Sequence, residues 1–145
     1  IYYSDFAKAD MNEIFGEKLK AAKQYEASQM SSLILENTGK GFIIHTLPAE
    51  AQWYPVYSIT IMDVNGDNKK DLILGGNQSY SRIKFGAYSC GKGDIFINKN
   101  NFHFERLSPA ESGIRISGDI RNAVVTGNQL IFGINNQQPV HYSLR

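Results

Sequence analysis

The sequence predicts an all-β protein of short antiparallel strands preceded by an α-helical segment. Three observations predict it. Beyond Ser32, short apolar triplets recur between polar turns rich in Gly and Asn. Before Ser32 the apolar period is three and four residues instead. Strands and helices do not alternate, so no parallel crossover sheet is expected. With 145 residues and a 42% hydrophobic fraction, the chain can bury one modest core and is not disordered as a whole.

The helical pattern runs from Asp5 to Ser32. Met11, Ile14, Phe15, Leu19, Ala22, Tyr25 and Met30 fall on one stripe, with Glu13, Glu17, Lys20, Lys23 and Gln24 between them. Asp10 followed by Glu13 fits a helix-start capping pair. Gly16 weakens a helix interior by roughly 1 kcal/mol and marks a break or kink. Residues 1–32 are therefore a helical lead-in, one amphipathic helix or two short ones, expected to pack on a neighbouring surface.

Strands follow in order. Leu33–Leu35 and Phe42–Ile44 flank Asn37-Thr38-Gly39-Lys40-Gly41, a hairpin connection. Tyr57–Ile61 alternates and leads through Asp63–Asp71 to Leu72–Leu74. Ile95–Ile97 and Phe102–Phe104 flank Asn98–Asn101, a second hairpin signal. Ala123–Val125 and Leu130–Phe132 flank Thr126–Gln129, and Val140–Tyr142 closes the series. The stretch Leu35–Phe42 resembles Ile97–Phe102, a weak repeat about 60 residues apart, near the upper end of propeller-blade spacing.

One segment carries chemistry. In Asp63-Val64-Asn65-Gly66-Asp67-Asn68-Lys69-Lys70-Asp71, oxygen-bearing side chains stand at relative positions 1, 3, 5 and 9. A hard cation such as Ca²⁺ takes about 6–8 oxygens. Alternate residues of a tight loop converge, so Asp63, Asn65, Asp67 and Asp71 would offer side-chain oxygens and Lys69 its backbone carbonyl. Gly66 permits a positive φ. An EF-hand is excluded, because Asn68 and Leu74 occupy the places of its Gly and Glu and the flanks are strands. A bare Asn-Gly-Asp turn is the competing reading. Three carboxylates this close repel unless a cation neutralises them, which favours calcium.

The run Tyr57–Asn77 resembles the FG-GAP/VCBS repeat, whose pattern Asp-x-Asp/Asn-Gly-Asp-x-x-x-Asp lies between two strands. The likeness extends over Leu47–Tyr57, Phe85–Tyr88, Glu111–Gly113, Gly118–Arg121 and Phe132–Asn136, which look like the Bacteroidetes-type, ASPIC/UnbV-related group. It departs at Cys90-Gly91-Lys92-Gly93, where a bulkier strand residue is expected. The resemblance implies four-stranded blades of a partial β-propeller over residues 33–145, about two of them, from the C-terminal part of a longer protein. It implies structural calcium at Asp63, Asn65, Asp67, Lys69 and Asp71, and the remaining blades of the same precursor as partner. Such proteins are exported to the bacterial surface, periplasm or medium, as non-enzymatic binding or adhesion modules with a surface protein or glycan as ligand. The alternative is a non-catalytic propeller portion of a larger polysaccharide-active enzyme. A start at Ile1-Tyr2-Tyr3-Ser4, without Met, agrees with a piece of a longer chain.

Other candidates are weaker. Fifteen Lys and Arg against fourteen Asp and Glu give a net charge of +1, which argues against nucleic acid. No apolar run approaches the roughly 18 residues of a membrane span, so no membrane insertion is expected. Cys90 has no internal partner and no C-x-x-C motif and is expected to be a buried or inert thiol. His45, His103 and His141 lack a second ligand at zinc spacing. No Gly-x-Ser-x-Gly elbow occurs, and Gly91-Lys92-Gly93 is too short for a phosphate loop. Trp53, Tyr54 and Tyr57 suit a sugar platform but are better read as packing. Asp119 and Arg121 share a strand face and are read as a structural ion pair.

Overall fold

The computed structural model describes residues 2–144. The chain divides into two compact units, Ile1–Met30 and Ser31–Arg145.

In the first unit, α1 (Tyr3–Phe6) and α2 (Met11–Phe15) are short, and a 3₁₀ turn follows over Gly16–Leu19. The capping pair forms as the sequence predicts. The Asp10 carboxylate accepts the Glu13 N–H at 2.8 Å, and Glu13 accepts the Asp10 N–H at 2.9 Å. Gly16 ends α2 with a φ of +51°. The expected helix to Ser32 does not form: residues 20–32 carry no helix, and Ala22, Tyr25 and Met30 are exposed. An isolated helix this short is marginal in water, and the apolar stripe gains nothing from a face left in solvent. Among the described residues no helix is long and apolar enough to cross a membrane.

The second unit is β. Among the described residues nine strands form three antiparallel sheets. The first sheet pairs β1 (Leu33–Asn37) with β2 (Phe42–Thr46). The second orders β3 (Val56–Met62), β4 (Asp71–Gly76), β5 (Asp94–Asn98) and β6 (Phe104–Arg106) as neighbours. The third orders β7 (Ile120–Thr126), β8 (Gln129–Ile134) and β9 (Val140–Ser143). A short helix, α3 (Pro109–Ser112), lies between β6 and β7 in sequence.

The strand predictions hold at every element, with one shift. The strand expected at Phe102–Phe104 begins at Phe104. Asn100, Asn101 and Phe102 have φ values of +81°, +52° and +59°, so the turn extends two residues further. Phe102 therefore sits in a turn, where its counterpart in the weak repeat, Phe42, sits in a strand. Its ring stacks on His45 with centroids 4.3 Å apart.

The central strands of the second sheet, β4 and β5, are buried on both faces. Ile73, Ile95 and Ile97 pack against Ile120, Leu130, Phe132 and Ile134 of the third sheet, with Ile114 and Ile116 in the same core. On the opposite face Leu72, Leu74, Phe96 and Phe104 pack with Leu47 and Ala51, flanked by Ile34 of β1. Strand β4 reads Asp-Leu-Ile-Leu-Gly-Gly and is buried throughout, as a central strand covered on two sides must be. Its glycines are steric. A Cβ on Gly75 would strike the Ile120 side chain, and one on Gly76 the Pro55 carbonyl and, at 2.7 Å, the Tyr54 ring.

Candidate functional site

The β3–β4 connection holds the predicted oxygen loop. Asp63, just past β3, accepts three backbone N–H groups: Oδ1 takes Gly66 at 2.7 Å and Asp67 at 3.1 Å, and Oδ2 takes Asn68 at 2.8 Å. Asn65 Oδ1 accepts the Asp67 N–H at 3.1 Å. The curl needs left-handed backbone at two places. Gly66 supplies φ +78° and Asn68 φ +64°, residue types that tolerate it.

Asp67 accepts the Lys69 N–H at 3.0 Å through one oxygen and the Lys69 ammonium at 3.0 Å through the other. The ammonium hydrogen bond, aided by the Lys69 N–H and by Asn65, holds the Asp67 carboxyl below the usual carboxylate range. Asp71 differs from the others in being fully buried. Its Oδ2 accepts the Val64 N–H at 2.8 Å and its Oδ1 the Asn98 N–H on β5 at 2.8 Å. Asn98 in turn donates to the Lys70 carbonyl at 3.1 Å. Asp71 thus clasps both ends of the loop to the sheet.

The five predicted residues occupy one loop, and their carboxylates face backbone N–H groups. Among the described residues no group of three His, Cys, Asp or Glu side chains is placed to hold a metal ion. The donor types nevertheless fit a hard cation, since Asp63, Asn65, Asp67 and Asp71 all carry side-chain oxygen. Lys69 Nζ opposes a cation at Asp67, while its carbonyl belongs to the backbone and is unaffected by that pairing.

A second polar cluster joins two sheets. Asn77, buried with φ +90°, donates through Nδ2 to the Gly91 and Gly118 carbonyls, each at 2.8 Å, and accepts the Gly91 N–H at 2.9 Å. Buried Asp119 accepts the Ser79 N–H at 3.0 Å, the Ser79 hydroxyl at 2.6 Å and the Arg121 guanidinium at 3.1 Å. Arg121 also donates to the Asn77 carbonyl at 2.8 Å and lies 4.3 Å over the Tyr57 ring. The ion pair read from Asp119 and Arg121 is present. The Asn77–Gly118 and Ser79–Asp119 contacts have no sequence signal, because the partners lie about forty residues apart.

The aromatic trio separates. Tyr54 is buried, while Trp53 and Tyr57 are half exposed, each beneath a guanidinium: Arg106 over Trp53 at 5.6 Å, Arg121 over Tyr57. Arg106 is held by buried Asp94 through Nε at 2.9 Å and a terminal nitrogen at 2.5 Å. The Tyr54 hydroxyl is buried beside Asp94 and, among the described residues, has no partner in hydrogen-bond geometry. Burial, reinforced by that carboxylate, pushes its phenol well above the ordinary value. Cys90 is exposed, contrary to the expected burial, because the 79–90 segment runs outside both cores. His45 is half-buried against Glu36 at 2.8 Å, and His103 and His141 are exposed.

Comparison with family models, with curated proteins and with solved structures yields no match for this chain.

Proposed function

We propose that this chain is the C-terminal part of an exported, calcium-stabilised β-propeller of the FG-GAP/VCBS type, acting as a non-enzymatic binding or adhesion module. The observation that carries the reading is the oxygen loop Asp63–Asp71, hung between two neighbouring strands of a four-stranded antiparallel sheet. In this reading the second sheet is a whole blade, and the two- and three-stranded sheets are parts of its neighbours. Phe42, Ile43 and Ile44 on β2 and Ile59 and Ile61 on β3 are exposed. So much apolar surface on strands suits coverage by further blades of the same precursor. Calcium would be held by Asp63, Asn65, Asp67 and Asp71 and by the Lys69 carbonyl. It would neutralise the clustered carboxylates and stiffen the loop.

Thermal unfolding with calcium and with chelator tests the reading. A ligand that binds only the folded form stabilises by roughly 2.7 kcal/mol at a hundredfold excess over Kd. The expected result is a higher Tm in millimolar calcium, abolished in Asp67→Ala. An unchanged Tm, together with no heat of calcium binding by calorimetry, overturns the metal reading. Metal-dependent turnover of an ester, phosphate or glycoside that is lost in Asp63→Asn overturns the binding-module reading.

A further inference from the structure

A cleft of about 450 Å³ lies beside α3. Lys92, Arg115, Ser117, Pro109, Ala110 and Ile116 line it. Its walls follow from the backbone. The Ile116 N–H donates to the Lys92 carbonyl at 3.0 Å, which lays segment 114–117 alongside Lys92. Ile114 and Ile116 are buried in the inter-sheet core, so alternation leaves Arg115 and Ser117 outward. The Arg115 N–H is fixed to the Tyr142 hydroxyl at 3.2 Å.

Among the described residues neither the Lys92 ammonium nor the Arg115 guanidinium pairs with a carboxylate, whereas Arg106 and Arg121 are paired with Asp94 and Asp119. Lys92 Nζ makes only a 3.5 Å contact to the Ser89 carbonyl. The nearby acids are committed elsewhere. Asp94 holds Arg106, and Glu111 on α3 turns back to accept the Ser108 N–H at 2.8 Å and the Ser108 hydroxyl at 2.6 Å. Ser108 also lines the cleft, but its hydroxyl is spent on that cap.

We infer that this cleft binds a small organic carboxylate, with Lys92 and Arg115 on its anionic group and Pro109 and Ala110 against its carbon skeleton. The volume falls in the range of small-molecule sites, about 300–1,000 Å³. Arg115 offers a planar fork that matches a carboxylate, and Lys92 adds a point charge. Ser117 leaves a hydroxyl for a neutral polar group on the ligand. The same carboxylate chemistry occurs in free acids and in the uronate units of acidic polysaccharides. The inference is independent of calcium in the oxygen loop.

Amide chemical shifts of the 145-residue chain, titrated in calcium-free buffer after any chelator has been dialysed away, test it. The probes are butyrate, glucuronate, glucose and inorganic sulfate. Expected is saturable movement of the Lys92, Arg115, Ile116 and Ser117 amides at millimolar butyrate or glucuronate, with none for glucose. Glucuronate binding tighter than butyrate assigns the site to acidic sugars; the reverse assigns it to free acids. Lys92→Gln and Arg115→Gln should each weaken binding about tenfold, the usual cost of losing one charged hydrogen bond. Both variants should keep the parental Tm. Three outcomes overturn the inference: no saturation by either carboxylate, equal binding of sulfate and carboxylates with no effect of the skeleton, or affinity unchanged in the double variant.

Discussion

The Asp71 Oδ2 accepts the Val64 N–H at 2.8 Å across the mouth of the loop that both residues bound. The same carboxylate takes the Asn98 N–H of β5 through its other oxygen, and no part of it meets solvent. One side chain therefore closes a turn and ties it to a third strand. Asp71 is structural whether or not calcium is bound.

Truncating that carboxylate should be costly. Asp71→Ala leaves the part-buried Val64 and Asn98 N–H groups without their partner, at about 1–3 kcal/mol each. A loss of about 2–5 kcal/mol is expected in urea unfolding. A loss of that size should persist in chelator, where only the hydrogen bonds are at stake, and grow in calcium; an effect seen only in calcium would make Asp71 a metal ligand and nothing more.

The junction between the second and third sheets should be similarly sensitive. Asp119→Ala strips Ser79 of its acceptor and leaves Arg121 without its anion. Removing one partner of a buried pair costs about 3–5 kcal/mol, and Arg121's partial exposure places the expectation at the lower end. Urea midpoints compared with Asp119→Asn, which keeps one acceptor, should show the smaller loss for Asn.

Acid should weaken the fold through two carboxyls. Asp67 and Glu111 are both held below their ordinary values of 3.8 and 4.5, Asp67 first by the Lys69 ammonium and Glu111 first by the Ser108 hydroxyl. A lowered folded pKa means stability that is present above the unfolded value and lost as pH falls through the folded one. Stability should therefore decline below about pH 4.5 as these groups take up protons. In Lys69→Met a carboxyl-detected NMR titration should find Asp67 moved back upward, and calcium affinity should rise because the competing ammonium is gone. An Asp67 titration unmoved by Lys69→Met would show that the pairing does not hold its charge.

Gly76→Ala should misfit. The new methyl meets the Pro55 carbonyl and the Tyr54 ring, both backed by buried structure. Forcing such an atom into a packed site costs about 1–3 kcal/mol. Gly133→Ala, where the nearest neighbour of a Cβ is 3.8 Å away, is the control and should be nearly neutral by thermal unfolding.

What was readable in the residues follows from range. Alternation such as Tyr57–Ile61 and turn residues such as Gly127 are local signals, and the strands stand where those signals put them. Phe102 was misplaced because its left-handed φ is set by the Asn100–Asn101 turn, an environment that an aromatic residue does not advertise. The stripe through Tyr25 and Met30 has the right period but its side chains are exposed, and period alone does not stabilise a helix. In the oxygen loop the residue types were legible, and the partners of Asp71 were not. Asn98 lies twenty-seven positions away and is brought near only by the β4–β5 pairing. Lys92 and Arg115 gave no motif at all, since their cleft is made by segments that meet only in the folded chain.

Every sheet is built from strands adjacent in sequence, and the contacts between sheets span the longest stretches of chain. Within each sheet the loops closed are shorter, the longest joining β4 to β5 over residues 77–93, and each can form before the others exist. The Asn77–Gly118 bond, across forty-one positions, belongs to the later event in which finished sheets stack. Deleting it should then leave the refolding rate almost unchanged and speed unfolding instead. The stacked sheets would come apart sooner while forming as fast as before.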